Sequence, residues 1–143
     1  MYGDGLAELN LPKEQFIPVN VRNEISRAKN ELILSKDYEQ LAENFFQKNV
    51  AKAYSLYEEK LIKNNAFDFD DLITLPVQIF SAHPDILEKY QNKWRYILVD
   101  EYQDTNTSQY QLIKLLASKY RNICVVGDED QSIYSWRQAD FRN

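Results

Sequence analysis

The sequence predicts an α/β protein that is mostly helical, with a small parallel sheet of about two strands preceded by a helical segment. Three observations carry this. Residues 1–64 show only helical periodicity. Two short apolar runs, 96–99 and 122–126, have the β-branched and aromatic character of strands covered on both faces. A helical pattern separates those runs, and strand–helix–strand at this spacing makes a right-handed βαβ unit with parallel strands. With 44% hydrophobic residues in 143 the chain can bury a core, and only 3 Gly and 4 Pro argue against long linkers.

Taken in order, residues 1–18 read as loop, broken by Gly3, Gly5, Pro12 and Pro18. Asn20 is placed to cap a short helix to about Lys29, with Val21, Ile25 and Ala28 inward. Arg22, Arg27 and Lys29 lie on or beside it, as a solvated face or as phosphate contacts. Ser35 is the candidate cap of the longest helix, to about Lys63. Its stripe is Tyr38, Leu41, Phe45, Ala53, Tyr57 and Leu61, widened by Phe46, Val50 and Tyr54, and it reads as packing surface. Asn64-Asn65 ends the pattern, and the domain boundary is drawn there: a helical segment, 1–64, and an α/β segment, 65–143.

In Phe67-Asp68-Phe69-Asp70-Asp71-Leu72 the acids suit the first turn of a helix to about Ala82, which Pro76 should kink or shift. Pro84 opens another helix to about Gln91. After the strand at 96–99, Asn106 or Thr107 caps a helix to about Lys119, with Tyr110, Ile113, Leu116 and Ala117 inward. Cys124, the only cysteine, falls in the second strand and is expected to be a small buried hydrophobe. No internal disulfide can form, no stretch is apolar enough to span a membrane, and no signal peptide follows Met1, so a cytoplasmic location is expected. Net charge is −5, so any nucleic-acid contact must be local and partly aromatic.

The first strand ends in Asp100-Glu101. Acids at the carboxyl end of a parallel strand sit where open α/β sheets bind ligands. An apolar strand ending in Asp-Glu has the form of a Walker B element, although turns also favour Asp. Asp100-Glu101-Tyr102-Gln103-Asp104-Thr105-Asn106 resembles motif II of the UvrD/PcrA/Rep family of superfamily 1 DNA helicases. Val125 to Arg137, reading Val-Val-Gly-Asp-Glu-Asp-Gln-Ser-Ile-Tyr-Ser-Trp-Arg, resembles the same family's motif III. The order and distance of the two motifs match the family, and the likeness is strongest from Phe67 to Asp140.

The resemblance implies a helical 1B-like segment followed by part of a RecA-like 1A ATPase domain. It implies ATP and Mg²⁺ as cofactors, with Asp100 on the metal and Glu101 both beside the metal and positioning the hydrolytic water. Gln131 matches the glutamine that contacts the γ-phosphate, a task suited to an amide. Tyr134 and Trp136 match residues that stack on single-stranded DNA bases, with Arg137 as a further DNA contact; their alternative is two core rings. Phe69 matches another aromatic along the strand's path, or is a hydrophobic staple at a helix start. Gln103 and Asp104 join the nucleotide site to its neighbours. Gly127 lets the chain turn off the second strand, and Asp128 and Asp130 shape the loop. One departure is Gln138, where the family has Gly after the Trp-Arg pair.

With only Gly3, Gly5 and Gly127, no Gly-x-x-x-x-Gly-Lys-Ser/Thr phosphate loop exists in this chain. The expectation is a piece of an ATP-dependent 3′-to-5′ translocase that is inactive alone. Its partners would be single-stranded DNA, single/double-strand junctions and the remainder of the helicase, and exposed sheet would favour self-association. The competing reading is a stand-alone, non-hydrolytic module binding single-stranded DNA or a protein. A Mg²⁺ nuclease needs more converging acids and leaves Gln131 to Arg137 without a task.

Overall fold

The computed structural model describes residues 17–127. The chain divides into two compact units, Met1–Asp70 and Asp71–Asn143. In the first, α1 (Pro18–Asn30), α2 (Ser35–Leu41) and α3 (Phe45–Lys63) enclose one core. In the second, α4 (Asp71–Ala82), α5 (Pro84–Lys93), β1 (Ile97–Val99), a 3₁₀ turn (Tyr102–Asp104), α6 (Thr107–Ala117) and β2 (Ile123–Val125) follow in order.

Helix α1 starts at Pro18, earlier than the expected cap at Asn20, because proline's fixed φ and missing N–H suit the first turn. Both α1 and α3 end in the same device. Ile33 N–H donates to the Ala28 carbonyl at 2.9 Å and Leu32 N–H to that of Lys29 at 2.8 Å. Ala66 N–H reaches Leu61 at 2.9 Å and Asn65 N–H reaches Ile62 at 3.0 Å. These paired bonds are Schellman closures with Leu32 and Asn65 left-handed, at φ 61° and 48°.

The single long helix expected from Ser35 to Lys63 is instead two. Asn44 is the cause: its side chain accepts from Gln47 N–H at 2.9 Å, and Gln47 Oε1 accepts from Asn44 N–H at 3.2 Å. That reciprocal box starts a new helix and leaves Ala42 extended. Ser35 is the first residue of α2, not its cap, and Leu34 takes the cap position. The break also changes the phase of the stripe. Tyr38, Val50, Ala53, Tyr54, Tyr57 and Leu61 are buried, whereas Leu41 and Phe45, flanking the break, are 61% and 66% exposed.

In the second unit α4 packs on α6 and α5. Pro76 lies inside α4, leaving the Leu72 carbonyl without the bond a non-proline residue would give it. Gln91, at the end of α5, is buried and its Nε2 donates to the Leu115 carbonyl at 2.8 Å and Ser118 Oγ at 2.9 Å, which ties α5 to the end of α6. Asn106 caps α6 with a second reciprocal box, through Gln109. β1 and β2 pair in parallel with Ile97 opposite Ile123, Leu98 opposite Cys124 and Val99 opposite Val125. They are not covered on both faces as their composition leads one to expect. Leu98 is 72% exposed, and Ile123, Cys124 and Val125 are all exposed. A two-stranded ladder with little packed over it cannot bury an apolar run that would suit the middle of a larger sheet.

Candidate nucleotide-site edge

The parallel register puts the carboxyl ends of β1 and β2 side by side. Beyond Val99 the ladder continues: Val126 N–H donates to the Val99 carbonyl at 2.8 Å and Tyr102 N–H to that of Val126 at 3.0 Å. The loop carrying Asp100 and Glu101 is thereby bonded to the segment that leaves β2 and runs on toward Gln131. Gln131, Tyr134, Trp136 and Arg137 themselves lie outside the described residues.

Asp100 and Glu101 are both exposed at this edge. Asp100 Oδ1 accepts the Glu101 N–H at 2.9 Å, which fixes its carboxylate at the strand end. Glu101 is left-handed, with φ 53° and ψ 42°, a conformation that costs a residue with a Cβ about 1–2 kcal/mol. The chain then closes into the 3₁₀ turn, with Asp104 N–H donating to the Glu101 carbonyl at 2.9 Å. Thr105 Oγ1 donates to the Tyr102 carbonyl at 2.8 Å. Strain retained in a tightly bonded loop is a mark of functional sites.

Gln103 is only 6% exposed, and its Nε2 donates to Glu101 Oε2 at 2.6 Å. A Cβ on Gly127 would meet Gln103 Oε1 at 2.6 Å, Gln103 N at 3.2 Å and Tyr102 Cβ at 3.3 Å. Gly127 does not adopt positive φ, so its value here is space, not the backbone freedom its place after a strand suggests. Asp104 Oδ1 is buried without a hydrogen-bond partner among the described residues.

The donor set suits Mg²⁺. That ion prefers hard oxygens and is held by one or two carboxylates together with substrate phosphates, not by a full protein cage. Asp100 and Glu101 offer such a pair. No group of three or more His, Cys, Asp or Glu converges among the described residues, which is the arrangement a multi-acid nuclease site would use.

Phe69 belongs to the first unit, where the turn between α3 and α4 is pinned by its acids. Asp68 and Asp70 were expected in the first turn of the following helix; that helix begins only at Asp71. Lys29 Nζ reaches Asp68 Oδ2 at 2.8 Å and Glu58 Oε1 at 2.7 Å, and Tyr57 OH donates to Asp68 Oδ2 at 3.0 Å. Asn30 Nδ2 donates to Asp70 Oδ1 at 3.0 Å. With alternate residues drawn inward, Phe67 and Phe69 project outward, 70% and 83% exposed. Lys29, placed by the sequence on a basic face, is 4% exposed, and Arg27 is held between Glu24 and Glu31.

A strand-end carboxylate pair beside a second strand's exit, in a mostly helical α/β chain, lies where open α/β sheets bind their ligands. The comparison with known proteins narrows this. The UvrD/REP helicase N-terminal domain matches residues 4–143, and the chain belongs to that family. It is 48% identical over 138 residues to the ATP-dependent DNA helicase PcrA of Bacillus subtilis (strain 168). It is 50% identical over 140 residues to that of Staphylococcus aureus (strain Mu50 / ATCC 700699). These alignments cover 96% and 98% of this chain and 19% of each relative, so the chain spans about a fifth of their length.

Proposed function

We propose that this chain is a segment of an ATP-dependent 3′-to-5′ DNA helicase, carrying part of its ATPase site and part of its single-stranded DNA track. The observation that carries this is the carboxylate pair at the end of β1, bonded through Tyr102 and Val126 to the segment leaving β2. The names of the relatives supply the reaction class. Residues 1–64 correspond to a 1B-like segment and 65–143 to part of the 1A-like ATPase domain.

In this reading ATP and Mg²⁺ are the cofactors, and the ion, when bound, neutralises charge on the phosphates. Asp100 holds the ion. Glu101 orients water and accepts its proton, while Gln131 contacts the γ-phosphate. Phe69, Tyr134 and Trp136 stack on bases and Arg137 pairs with phosphate. The working substrate is single-stranded DNA and its junctions with duplex, in the cytoplasm. No helix among the described residues is long and apolar enough to cross a membrane.

The chain alone, lacking a phosphate-loop motif, does not hydrolyse ATP. In the full-length protein Glu101→Gln lowers DNA-stimulated ATP hydrolysis by at least ~100-fold while single-stranded DNA affinity stays within ~3-fold. Near-normal hydrolysis in that variant ends this reading. Robust hydrolysis by the 143-residue chain itself ends the claim of inactivity.

A further inference from the structure

We infer that Gln103 and Gly127 act together as a positioning device for Glu101, so that the backbone leaving β2 governs where the acid at the end of β1 points. The inference rests on Glu101 being the water-activating acid.

The two ends of one buried amide make the connection. Gln103 Nε2 holds Glu101 Oε2 at 2.6 Å, a charge-assisted bond to an otherwise exposed carboxylate. Gln103 Oε1 occupies the space a side chain on Gly127 would need, 2.6 Å from the position of such a Cβ. Gln103 has little freedom to retreat, because it is buried and its backbone lies in the 3₁₀ turn. Tyr102 fixes that turn by donating to Val126, the residue just before Gly127. A displacement of the chain at Gly127 therefore moves the amide, and the amide moves the carboxylate. Gln103 and Gly127 are positioning residues: neither needs to touch nucleotide to affect the chemistry.

The test is made in the full-length protein with Gln103→Leu, Gly127→Ala and the double variant, measuring kcat and the KM for ATP in single-stranded-DNA-stimulated hydrolysis. Gln103→Leu keeps bulk and loses the donor, so kcat falls ~10-fold or more with the KM for ATP within ~3-fold. A merely structural role would not separate kcat from KM in this way. Gly127→Ala gives the same fall in kcat with KM little changed, by displacing the amide, and the double variant is no worse than the poorer single, since both act on one element.

Circular dichroism melts check folding. If Gly127→Ala fails to fold, Gln103→Leu alone decides the matter. A normal kcat for Gln103→Leu, alongside a dead Glu101→Gln, overturns the positioning role and leaves the helicase reading standing. Fully additive losses in the double variant overturn the shared pathway from Gly127. An active Glu101→Gln overturns the reading beneath both.

Discussion

Lys29 shows how far a residue's role can lie from its surroundings in sequence. It lies among Arg22 and Arg27 in a helix that looks basic and solvated, yet its side chain is 3% exposed between Glu58 and Asp68. Removing one partner of a buried ion pair costs about 3–5 kcal/mol. Glu58 and Asp68 stay partly exposed, so Lys29→Met should fall at about the low end, ~3 kcal/mol, in urea unfolding followed by helical circular dichroism. An unchanged midpoint contradicts the pinning role.

Glu24 gives the pH dependence. The Arg27 hydrogen bond, with help from Tyr38 OH at 2.8 Å, holds its carboxyl below the ordinary 4.5 despite partial burial. A depressed acid stabilises the fold above its unfolded pKa and stops doing so as pH falls through the folded value. The stability of the first unit should therefore decline below about pH 4.5, and Glu24→Gln should flatten that decline in acid titrations of the melting temperature. Of these roles the sequence showed the residue types and not the partners, because Lys29 and Asp68 are far apart in the chain. The place of Asp100 and Glu101 at a strand end could be read from local order along the chain. Gln103 was visible only as a motif member; its task depends on Gly127 coming close from another strand.

Among the elements, periodicity located the helical stretches but ran α2 and α3 together, and side-chain caps set where α3 and α6 begin. The stripe from Tyr38 to Leu61 reads continuously because a break of three residues preserves much of a 3.6-residue period. Asn44 and Gln47, three apart, were the available signal for the break. Asn44→Ala should destabilise α3 by about 1 kcal/mol, read as a lowered urea midpoint with an unchanged slope. Asn106, one of the two caps the sequence offers, starts α6 through the same kind of box with Gln109.

For the whole molecule, the strands were recognisable and their environment was not. The runs around Leu98 and Cys124 have the composition of interior strands, and composition reports the sheet such strands suit, not the sheet present. Uncovered apolar strands promote association. The 143-residue chain should sediment as dimers or larger species at tens of micromolar, and Leu98→Lys should shift it toward monomer in analytical ultracentrifugation. A monomeric native chain would refute this.

The backbone at Glu101 has a consequence for anyone seeking a hardier version of this protein. An acid is kept at φ 53°, where glycine would be relaxed. Screening for heat tolerance alone would favour glycine there, so resilience would be gained at the expense of whatever that carboxylate does.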